Sequence, residues 1–427
     1  MYMVVTSEKI GQINGNINIL KDSFISHTAL ILASQVVGMT KIHHITYNDE
    51  VILTIKALNS LDVQVKYEDG VCTVQGVGVG GFICPKNTLY LNNPSIYMMI
   101  GGLSSCPFIS FFDGDYDLNV SEIIKPLSLM GARFMLNGNR FPIALIGCMD
   151  MLPIEYITNK NEIKTMLLFA ALNVCGTTTI IDNTIDYDKI IPVLKHFNVS
   201  IECFASQKRV NICGQQELYS KDIYIPNDFF CTLAVIAVAL MVENSEIVIL
   251  DVLLNDEIKS FYQILIKMGG NIFFINKRQN VLGAEIADLL VKSSILIGVD
   301  CLISEDFSLD ECLIMMVISA YAHGITMFSG LLRRFIDKRL QNLINGLIRC
   351  GIKVEIEADN LIIHGCSGNI LGGILIDACY DFKVTVVSLI LGMVSNSSVE
   401  IKNIRKTSDF IAIVDLFNKH GAKITFT

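Results

Sequence analysis

Two apolar patterns alternate along the chain, and each recurs six times. One is apolar on nearly every side and runs into a strand-like stretch, as in FFCTLAVIAVALMVENSEIVIL from Phe229. A helix of this kind must be covered by other elements. The other pattern is amphipathic, with apolar residues three and four positions apart, as in LQNLINGLIRCGIKVEI from Leu340. We therefore predict one buried and one partly exposed helix in each repeat.

Each amphipathic pattern ends at a Gly, Asn or Asp and is followed by alternating apolar residues. These residue types accept the left-handed backbone conformation of a helix C-cap. VEIEADNLIIHG from Val354 then predicts a hairpin with a polar turn. One repeat thus reads helix–strand–helix–strand–strand, and six of them predict two domains of three repeats. The cap positions are Asp62, Gly131, Asn198, Gly269, Gly351 and Gly421.

Composition excludes several classes of protein. The mean hydropathy is high, +0.50, but the longest charge-free apolar run, Phe229–Val242, is shorter than the roughly 20 residues that span a bilayer. A net charge of −9 argues against a nucleic-acid binder. Thirteen cysteines without a C-x-x-C pair predict neither a disulfide framework nor a metal site. With no signal-peptide pattern at the first residues, we expect a cytoplasmic protein without a metal and without a membrane or nucleic-acid partner.

Seven segments, in the same order along the chain, resemble motifs of the enolpyruvyl transferases and most closely those of the 5-enolpyruvylshikimate-3-phosphate (EPSP) synthases. KDSFISHTAL, from Lys21, is similar to the signature G-D-K-S-I-S-H-R-A-L. LRRFIDKRL, from Leu332, resembles L-R-V-K-E-S-D-R-L, and YDFKVTVVSL, from Tyr380, resembles N-D-H-R-I-A-M. The other four are NDEVILTIKALNSLDV, LNNPSIYMMIGGL, GDYDLNVSEIIKPLSLMGA and SLDECLIMMVISAYAHGIT.

This resemblance implies a two-domain α/β fold, the inside-out α/β barrel of this family, with six βαβαββ-type repeats, three per domain around buried parallel helices. We expect an N-terminal domain over residues 19–225, a C-terminal domain over 1–18 plus 226–427, and a ligand cleft between them. The implied reaction transfers the enolpyruvyl group of phosphoenolpyruvate to shikimate 3-phosphate, without a cofactor and in a monomer. Both substrates are anionic, so such a site needs fixed cations and a group that moves protons.

Some positions of the family's site are retained. Asp310 and Glu311 match its D-E pair, in which the aspartate is implied to act as acid or base. The two residues lie equally well at the start of a buried helix, where carboxylates favour the helix dipole. The retained substrate-binding positions are Asn93, Arg339, Lys383 and Lys406.

Most of the family's cationic positions are substituted. Ser23 replaces a signature Lys, Thr28 and Met99 replace Arg, and Phe335 replaces Lys. In a phosphate-binding S-x-Q motif, Gln becomes Glu162, which places an anion opposite a phosphate. We therefore predict very weak or absent activity. The substituted positions are Ser23, Phe24, Thr28, Ser95, Met99, Lys160, Asn161, Glu162, Phe335, Ile336 and Phe382.

Two other functions stay open at this point. One is a working EPSP synthase whose cations are a rearranged set of lysines. The other is a non-catalytic descendant that binds a ligand or a partner. A fourth reading, a UDP-N-acetylglucosamine enolpyruvyl transferase, suits KDSFISHT less well. The lysines available to a rearranged set are Lys21, Lys160, Lys164, Lys338, Lys383 and Lys406.

Overall fold

The computed structural model describes residues 4–92, 94–114, 120–182, 189–254, 256–280, 285–303, 307–335 and 337–426. Within these ranges the chain forms thirteen α-helices and twenty-four strands. The helices are α1 (Ser23–Ala33), α2 (Asp49–Ser60), α3 (Ser95–Leu103), α4 (Val120–Met130), α5 (Asn161–Ala171), α6 (Ile190–His196), α7 (Phe229–Met241), α8 (Asp256–Lys267), α9 (Leu309–Tyr321), α10 (Leu331–Arg334), α11 (Lys338–Arg349), α12 (Phe382–Val394) and α13 (Ser408–Lys419).

The strands are short, with two to nine residues each. They are β1 (Val5–Glu8), β2 (Asn14–Ile17), β3 (Val37–His43), β4 (Gln64–Glu68), β5 (Val71–Val77), β6 (Leu89–Leu91), β7 (Ile109–Gly114), β8 (Arg133–Leu136), β9 (Ile143–Ile146), β10 (Glu155–Thr158), β11 (Thr177–Asp182), β12 (Ile201–Phe204), β13 (Arg209–Cys213), β14 (Ile223–Tyr224), β15 (Glu246–Leu253), β16 (Asn271–Gln279), β17 (Glu285–Lys292), β18 (Asp300–Leu302), β19 (His323–Ser329), β20 (Lys353–Glu357), β21 (Asn360–Cys366), β22 (Leu375–Asp377), β23 (Val399–Lys402) and β24 (Lys423–Phe426).

All six sheets share one topology, which confirms the predicted sixfold repeat. In β10-β11-β13-β12 the first two strands are parallel, and an antiparallel hairpin follows. Along the chain, α5 lies between β10 and β11, and α6 lies between β11 and β12, so the repeat is βαβαββ. The remaining sheets are β6-β7-β9-β8, β14-β3-β5-β4, β16-β17-β15-β2, β18-β19-β21-β20 and β22-β23-β1-β24.

The described residues from Lys21 to Ile225 form one compact unit, called here the N-terminal unit. Helices α1, α3 and α5 are buried along most of their length, and α3 packs against both of the others. The amphipathic helices α2, α4 and α6 bury one face each. The short strand β14 returns to pair with β3, so the last residues of this unit complete its first sheet.

The C-terminal unit combines the described residues up to Leu20 with those from Pro226 onwards. Its buried helices α7, α9 and α12 pack against one another. The beginning of the chain supplies two strands to this unit. Strand β2 lies parallel to β15, and β1 is the inner strand between β23 and β24. The sheet of β1 therefore joins the two ends of the sequence, whereas the sheet of β2 joins the beginning of the chain to its middle.

The backbone explains the recurring cap residues. All six predicted positions have a positive φ, including Asp62 at 69° and Asn198 at 62°, so the C-cap prediction is confirmed. Another position of the repeat requires glycine, because a neighbouring backbone carbonyl lies where a side chain would begin. A Cβ on Gly214 would lie 2.1 Å from the Val174 carbonyl oxygen, and one on Gly365 would lie 2.1 Å from that of Ala322. At these two positions the hairpin approaches the end of the buried helix.

None of the helices in the described part of the chain has the length and apolarity needed to cross a bilayer.

Candidate active site

The first turn of α9 positions the predicted D-E pair. The Ser308 hydroxyl accepts a hydrogen bond from the Glu311 amide at 3.5 Å, and the Glu311 carboxylate accepts one from the Ser308 amide at 2.9 Å. This reciprocal capping box buries Glu311. Glu311 thus has a structural role at the helix start, whereas the side chain of Asp310 stays 30% exposed.

Asp310 lies between two cations. Arg339, on α11, donates from Nη1 to Oδ1 of Asp310 at 3.1 Å. The ammonium of Lys383, on α12, lies 3.5 Å from Oδ2 of the same carboxylate. The structure therefore brings together three of the predicted site residues, from the starts of three helices that are separate in sequence. We call these three residues the Asp310 cluster.

Asp337 holds Arg339 in place. It is the N-cap of α11, where its Oδ1 accepts from the Arg339 amide at 2.7 Å, and its Oδ2 accepts from Nη2 at 2.9 Å. Burial alone would lower the pKa of the Arg339 guanidinium. The hydrogen bonds to Asp337 and the charges of Asp310 and Asp381 outweigh burial and raise that pKa above its usual value. Arg339 is therefore a permanent, preoriented cation.

Asp381 adds a further carboxylate beside this cluster. It is the N-cap of α12, and its Oδ1 accepts from the Val384 amide at 2.9 Å. Burial raises the pKa of the Asp381 carboxyl, although the Val384 amide and the charge of Arg339 act in the opposite direction. Its negative charge raises the pKa of Arg339 as well.

The remaining predicted positions of the C-terminal unit have other surroundings. Phe335, which replaces a family Lys, is buried in the hydrophobic core, and Phe382 packs against that core. Lys406 is exposed and makes no described contact with the Asp310 cluster. Ile336 lies outside the described residues.

In the N-terminal unit, the start of α1 is held by polar contacts that involve no signature cation. Ser23 is the first helical residue, and within the described part of the chain its buried hydroxyl has no hydrogen-bond partner. Thr28 is buried, and its hydroxyl donates to the Phe24 carbonyl oxygen at 2.8 Å, inside the same helix. Phe24 packs against the core. None of these three side chains carries a charge.

Two further substituted positions lie in α3. Ser95 begins the helix, and its hydroxyl donates to the Asn92 carbonyl oxygen at 3.0 Å. Met99 is fully buried among the apolar side chains of the core. Met99 therefore serves packing at the position where the resemblance predicts an arginine. Asn93, predicted as a retained position, lies outside the described residues.

Helix α5 carries the substituted S-x-Q positions. Lys160 precedes the helix, and its ammonium lies 2.5 Å from the Glu122 carboxylate. Asn161 and Glu162, both partly exposed, form the first turn. One turn later the buried Lys164 forms an ion pair with Asp182.

Sequence reasoning missed one cation near the signature helix. Lys189, which precedes α6, lies 2.6 Å from Oδ2 of Asp22, the buried N-cap of α1. This pair brings an ammonium to the residue next to Ser23. The N-cap role of Asp22 follows from a carboxylate that precedes an apolar helix pattern. No local signal links it to a lysine 167 positions later.

Comparison with known proteins identifies the family of this chain. The family model described as EPSP synthase (3-phosphoshikimate 1-carboxyvinyltransferase) matches residues 7–409. The chain is 33% identical to the 3-phosphoshikimate 1-carboxyvinyltransferase of Nitrobacter winogradskyi, over 98% of each chain. It is 31% identical to that of Cereibacter sphaeroides, over 98% of this chain and 97% of the relative.

Solved structures show the same fold. An EPSP synthase from Acinetobacter baumannii covers 100% of both chains with a TM-score of 0.82, at 23% identity. The enolpyruvyl transferase NikO from Streptomyces tendae covers 100% of this chain and 99% of its own, with a TM-score of 0.71 at 14% identity. These two likenesses show the fold alone. The family is shown by the match to the family model and by the relatives above 30% identity. The chain belongs to the EPSP synthase family.

Proposed function

We propose that this protein catalyses the family reaction, enolpyruvyl transfer from phosphoenolpyruvate to a hydroxyl of shikimate 3-phosphate, at a strongly reduced rate. The observation that carries the proposal is the Asp310 cluster, a carboxylate held between Arg339 and Lys383. The curated relatives, which are named for this reaction and align over nearly the whole chain, support the reaction type.

The chemistry assigns one role to each residue of the cluster. Asp310 accepts the proton of the attacking hydroxyl as its oxygen bonds to C2 of phosphoenolpyruvate, and the C2–C3 double bond takes up a proton from solvent at C3. In the elimination that follows, C3 returns a proton to solvent and the C–H electron pair re-forms the C2–C3 double bond. The bond between C2 and the phosphate oxygen breaks, and phosphate leaves with that electron pair. Arg339 and Lys383 orient the carboxylate and attract the anionic substrates. They also stabilise negative charge that develops during the transfer.

The reduced rate follows from the N-terminal unit. Ser23 and Thr28 are neutral where the family has cations, and Lys160 and Lys164 are paired with carboxylates. A hydrogen bond to a charged group contributes about 1.5–3 kcal/mol. The loss of two such contacts to a substrate phosphate corresponds to a decrease of about 10²- to 10⁴-fold in kcat/KM.

A full-rate enzyme with a rearranged lysine set is the second candidate. The observation that favours it is the pair of Lys189 with Asp22, because this ammonium lies beside the substituted Ser23. In this candidate Lys189 turns toward the substrate phosphate and replaces the signature lysine. The Asp22 carboxylate, which is buried and already paired with that ammonium, weakens this role.

The test is a turnover assay with both substrates, in which phosphate release and the enolpyruvyl product are measured. We expect slow turnover in the wild type and a further decrease of at least about 100-fold in kcat for Asp310→Asn. Asp300→Asn, an exposed carboxylate on β18, is the matched control and should retain the wild-type rate. Equal rates in Asp310→Asn and the wild type would refute the proposed role of Asp310.

A second pair of variants separates the two candidates. Ser23→Lys restores a cation at the start of α1 and should raise kcat/KM about tenfold or more if that cation is what the site lacks. Lys189→Met should have little effect in the same case. Three results together would establish the second candidate instead. The wild type would turn over at the rate of its relatives, Ser23→Lys would not raise kcat/KM, and Lys189→Met would lose most of the activity.

A further inference from the structure

The ammonium of Lys383 has aromatic neighbours as well as a carboxylate. It lies 4.0 Å from the ring centroid of Phe230 and 5.6 Å from that of Phe382. The two rings lie 6.2 Å apart with an interplanar angle of 56°. Phe230, in the first turn of α7, is 3% exposed, so this side of the ammonium is shielded from water.

These contacts fix the position of a flexible side chain. A lysine ammonium is a compact charge on a mobile four-carbon stem and lacks the planar fork by which arginine grips a carboxylate. The face of an aromatic ring attracts a cation, and the attraction is stronger where water is excluded. With the rings on one side and Asp310 on the other at 3.5 Å, the Lys383 ammonium has one preferred place.

Two substitutions at neighbouring positions fit together in this arrangement. Where the resembling motif has His-Arg, this chain has Phe382 and Lys383. Replacement of the arginine by lysine removes the fork, and replacement of the histidine by phenylalanine adds an apolar ring beside the ammonium. The ring of Phe230, which comes from a different helix, provides the closer contact.

We propose that Phe230 and Phe382 are positioning residues that hold the Lys383 ammonium beside Asp310. They act through Lys383 and need not touch a substrate. The catalytic consequence rests on the proposed function above, but the placement of Lys383 does not and can be measured without turnover. Among the charged groups of this region, Asp310 lies beside the ammonium, and Arg339 contacts the same carboxylate.

The deciding measurement is NMR of protein labelled with ¹³C at the lysine ε carbon. The Lys383 signal is assigned by its loss in Lys383→Arg. Ring currents should move the ε protons of Lys383 upfield of the exposed lysines, and Phe230→Leu should remove most of this shift. Phe417→Leu, which removes an equally buried ring of the same core on α13, should leave the signal unchanged. Phe230→Tyr keeps the ring and should restore the upfield position.

A second variant guards against loss of folding. Phe382 is only partly buried, so Phe382→Leu tests the positioning of Lys383 with little risk to the core. It should produce a smaller change in the Lys383 signal, in agreement with its longer distance to the ammonium. A Lys383 signal that coincides with those of exposed lysines in the wild type, or that is unmoved in both leucine variants, would overturn the proposal.

Kinetics supply the functional readout. If the rings position Lys383 for substrate binding, Phe230→Leu should raise the KM for phosphoenolpyruvate about fivefold, with a smaller change in kcat, and Phe230→Tyr should be near the wild type. Equal losses of kcat in Phe230→Leu and Phe417→Leu, at unchanged KM, would mean a general packing effect and would contradict the positioning role. A wild type without any turnover would refute the proposed function. The NMR result would still decide whether Phe230 and Phe382 position the Lys383 ammonium.

Discussion

His27, in the signature helix α1, is buried with an exposed fraction of 1%. Its Nδ1 lies 2.9 Å from the Thr54 hydroxyl, and Nε2 has no hydrogen-bond partner among the described residues. Burial lowers the pKa of the imidazole from 6.5 to about 4. The sequence shows His27 only as a member of the signature motif. Its low pKa depends on the burial of α1 in the hydrophobic core, which the motif alone does not reveal.

This pKa predicts a pH dependence of stability. Between about pH 6.5 and pH 4 the unfolded chain binds a proton at His27 that the folded protein excludes, so the free energy of unfolding decreases as the pH falls. Between pH 7 and pH 5 the decrease should be about 2 kcal/mol. Urea unfolding at these two pH values measures it.

His27→Asn is the control for that measurement, because its amide can still contact Thr54 but does not titrate. The difference in stability between wild type and His27→Asn should shrink or reverse at pH 5. Parallel pH profiles for the two proteins would show that His27 is protonated equally in the folded and unfolded states.

At the scale of the element, several strands share a buried hydroxyl group. In four repeats the inner face of the second strand carries a buried hydroxyl without a hydrogen-bond partner in the described part of the chain. Each lies opposite an aliphatic residue of the adjacent hairpin strand, as Thr326 does opposite Ile363. The four hydroxyl residues are Thr40, Ser110, Thr178 and Thr326.

Thr326→Val should therefore stabilise the protein. The change keeps the shape of the side chain and removes a hydroxyl whose burial without a partner is unfavourable, by about 1–3 kcal/mol. Since a relaxed structure recovers part of this, we expect a gain of about 1 kcal/mol in urea unfolding. Thr232→Val is the matched comparison on α7, because that buried hydroxyl donates to the Asp228 carbonyl oxygen at 2.7 Å. It should be destabilising, and the same result for Thr326→Val would mean that Thr326 has a partner in solution.

The elements themselves were largely predictable from the sequence. Residues such as Asp62 and Asn198 end helices for a local reason, the left-handed backbone, and the hairpin after Val354 follows from alternation over a few residues. The six repeats followed from the periodicity of the sequence, and the resemblance added the first strand of each βαβαββ unit. These signals act over short distances, so the sequence reveals them directly.

Side-chain partners at the site were not predictable in the same way. The pairs of Lys160 with Glu122 and of Lys189 with Asp22 join residues 38 and 167 positions apart. The contact of Lys383 with Phe230 depends on how two buried helices pack. Whether a lysine is available to a ligand depends on such distant neighbours, and composition or motif spacing gives no information about them.

At the scale of the molecule, each unit has its own hydrophobic core, and no described residue belongs to both cores. The C-terminal unit depends on β1, in which Val5 is fully buried and pairs with Ile401 on one side and Phe426 on the other. A defect in β1 should therefore act on one unit and spare the other.

Val5→Asp tests this dependence. A charge in the core should lower the stability of the C-terminal unit by about 4 kcal/mol or more. Amide hydrogen exchange should show lost protection in the strands after Pro226, with protection retained between Lys21 and Ile225. Thr6→Asp, on the opposite and partly exposed face of the same strand, should change little. Loss of protection throughout both units would show that they unfold as one.

The position of β1 also determines the order in which a newly made chain can fold. The N-terminal unit is complete once β14 has left the ribosome, because that strand pairs back onto β3. Strand β1 is made before its partner β24, which follows more than 400 residues later. At a synthesis rate of about 5–20 residues per second, β1 has an unpaired edge for about 20–80 s. Its alternating Thr and Glu and the following Lys9 keep that waiting segment polar on one side, which limits pairing with other nascent chains.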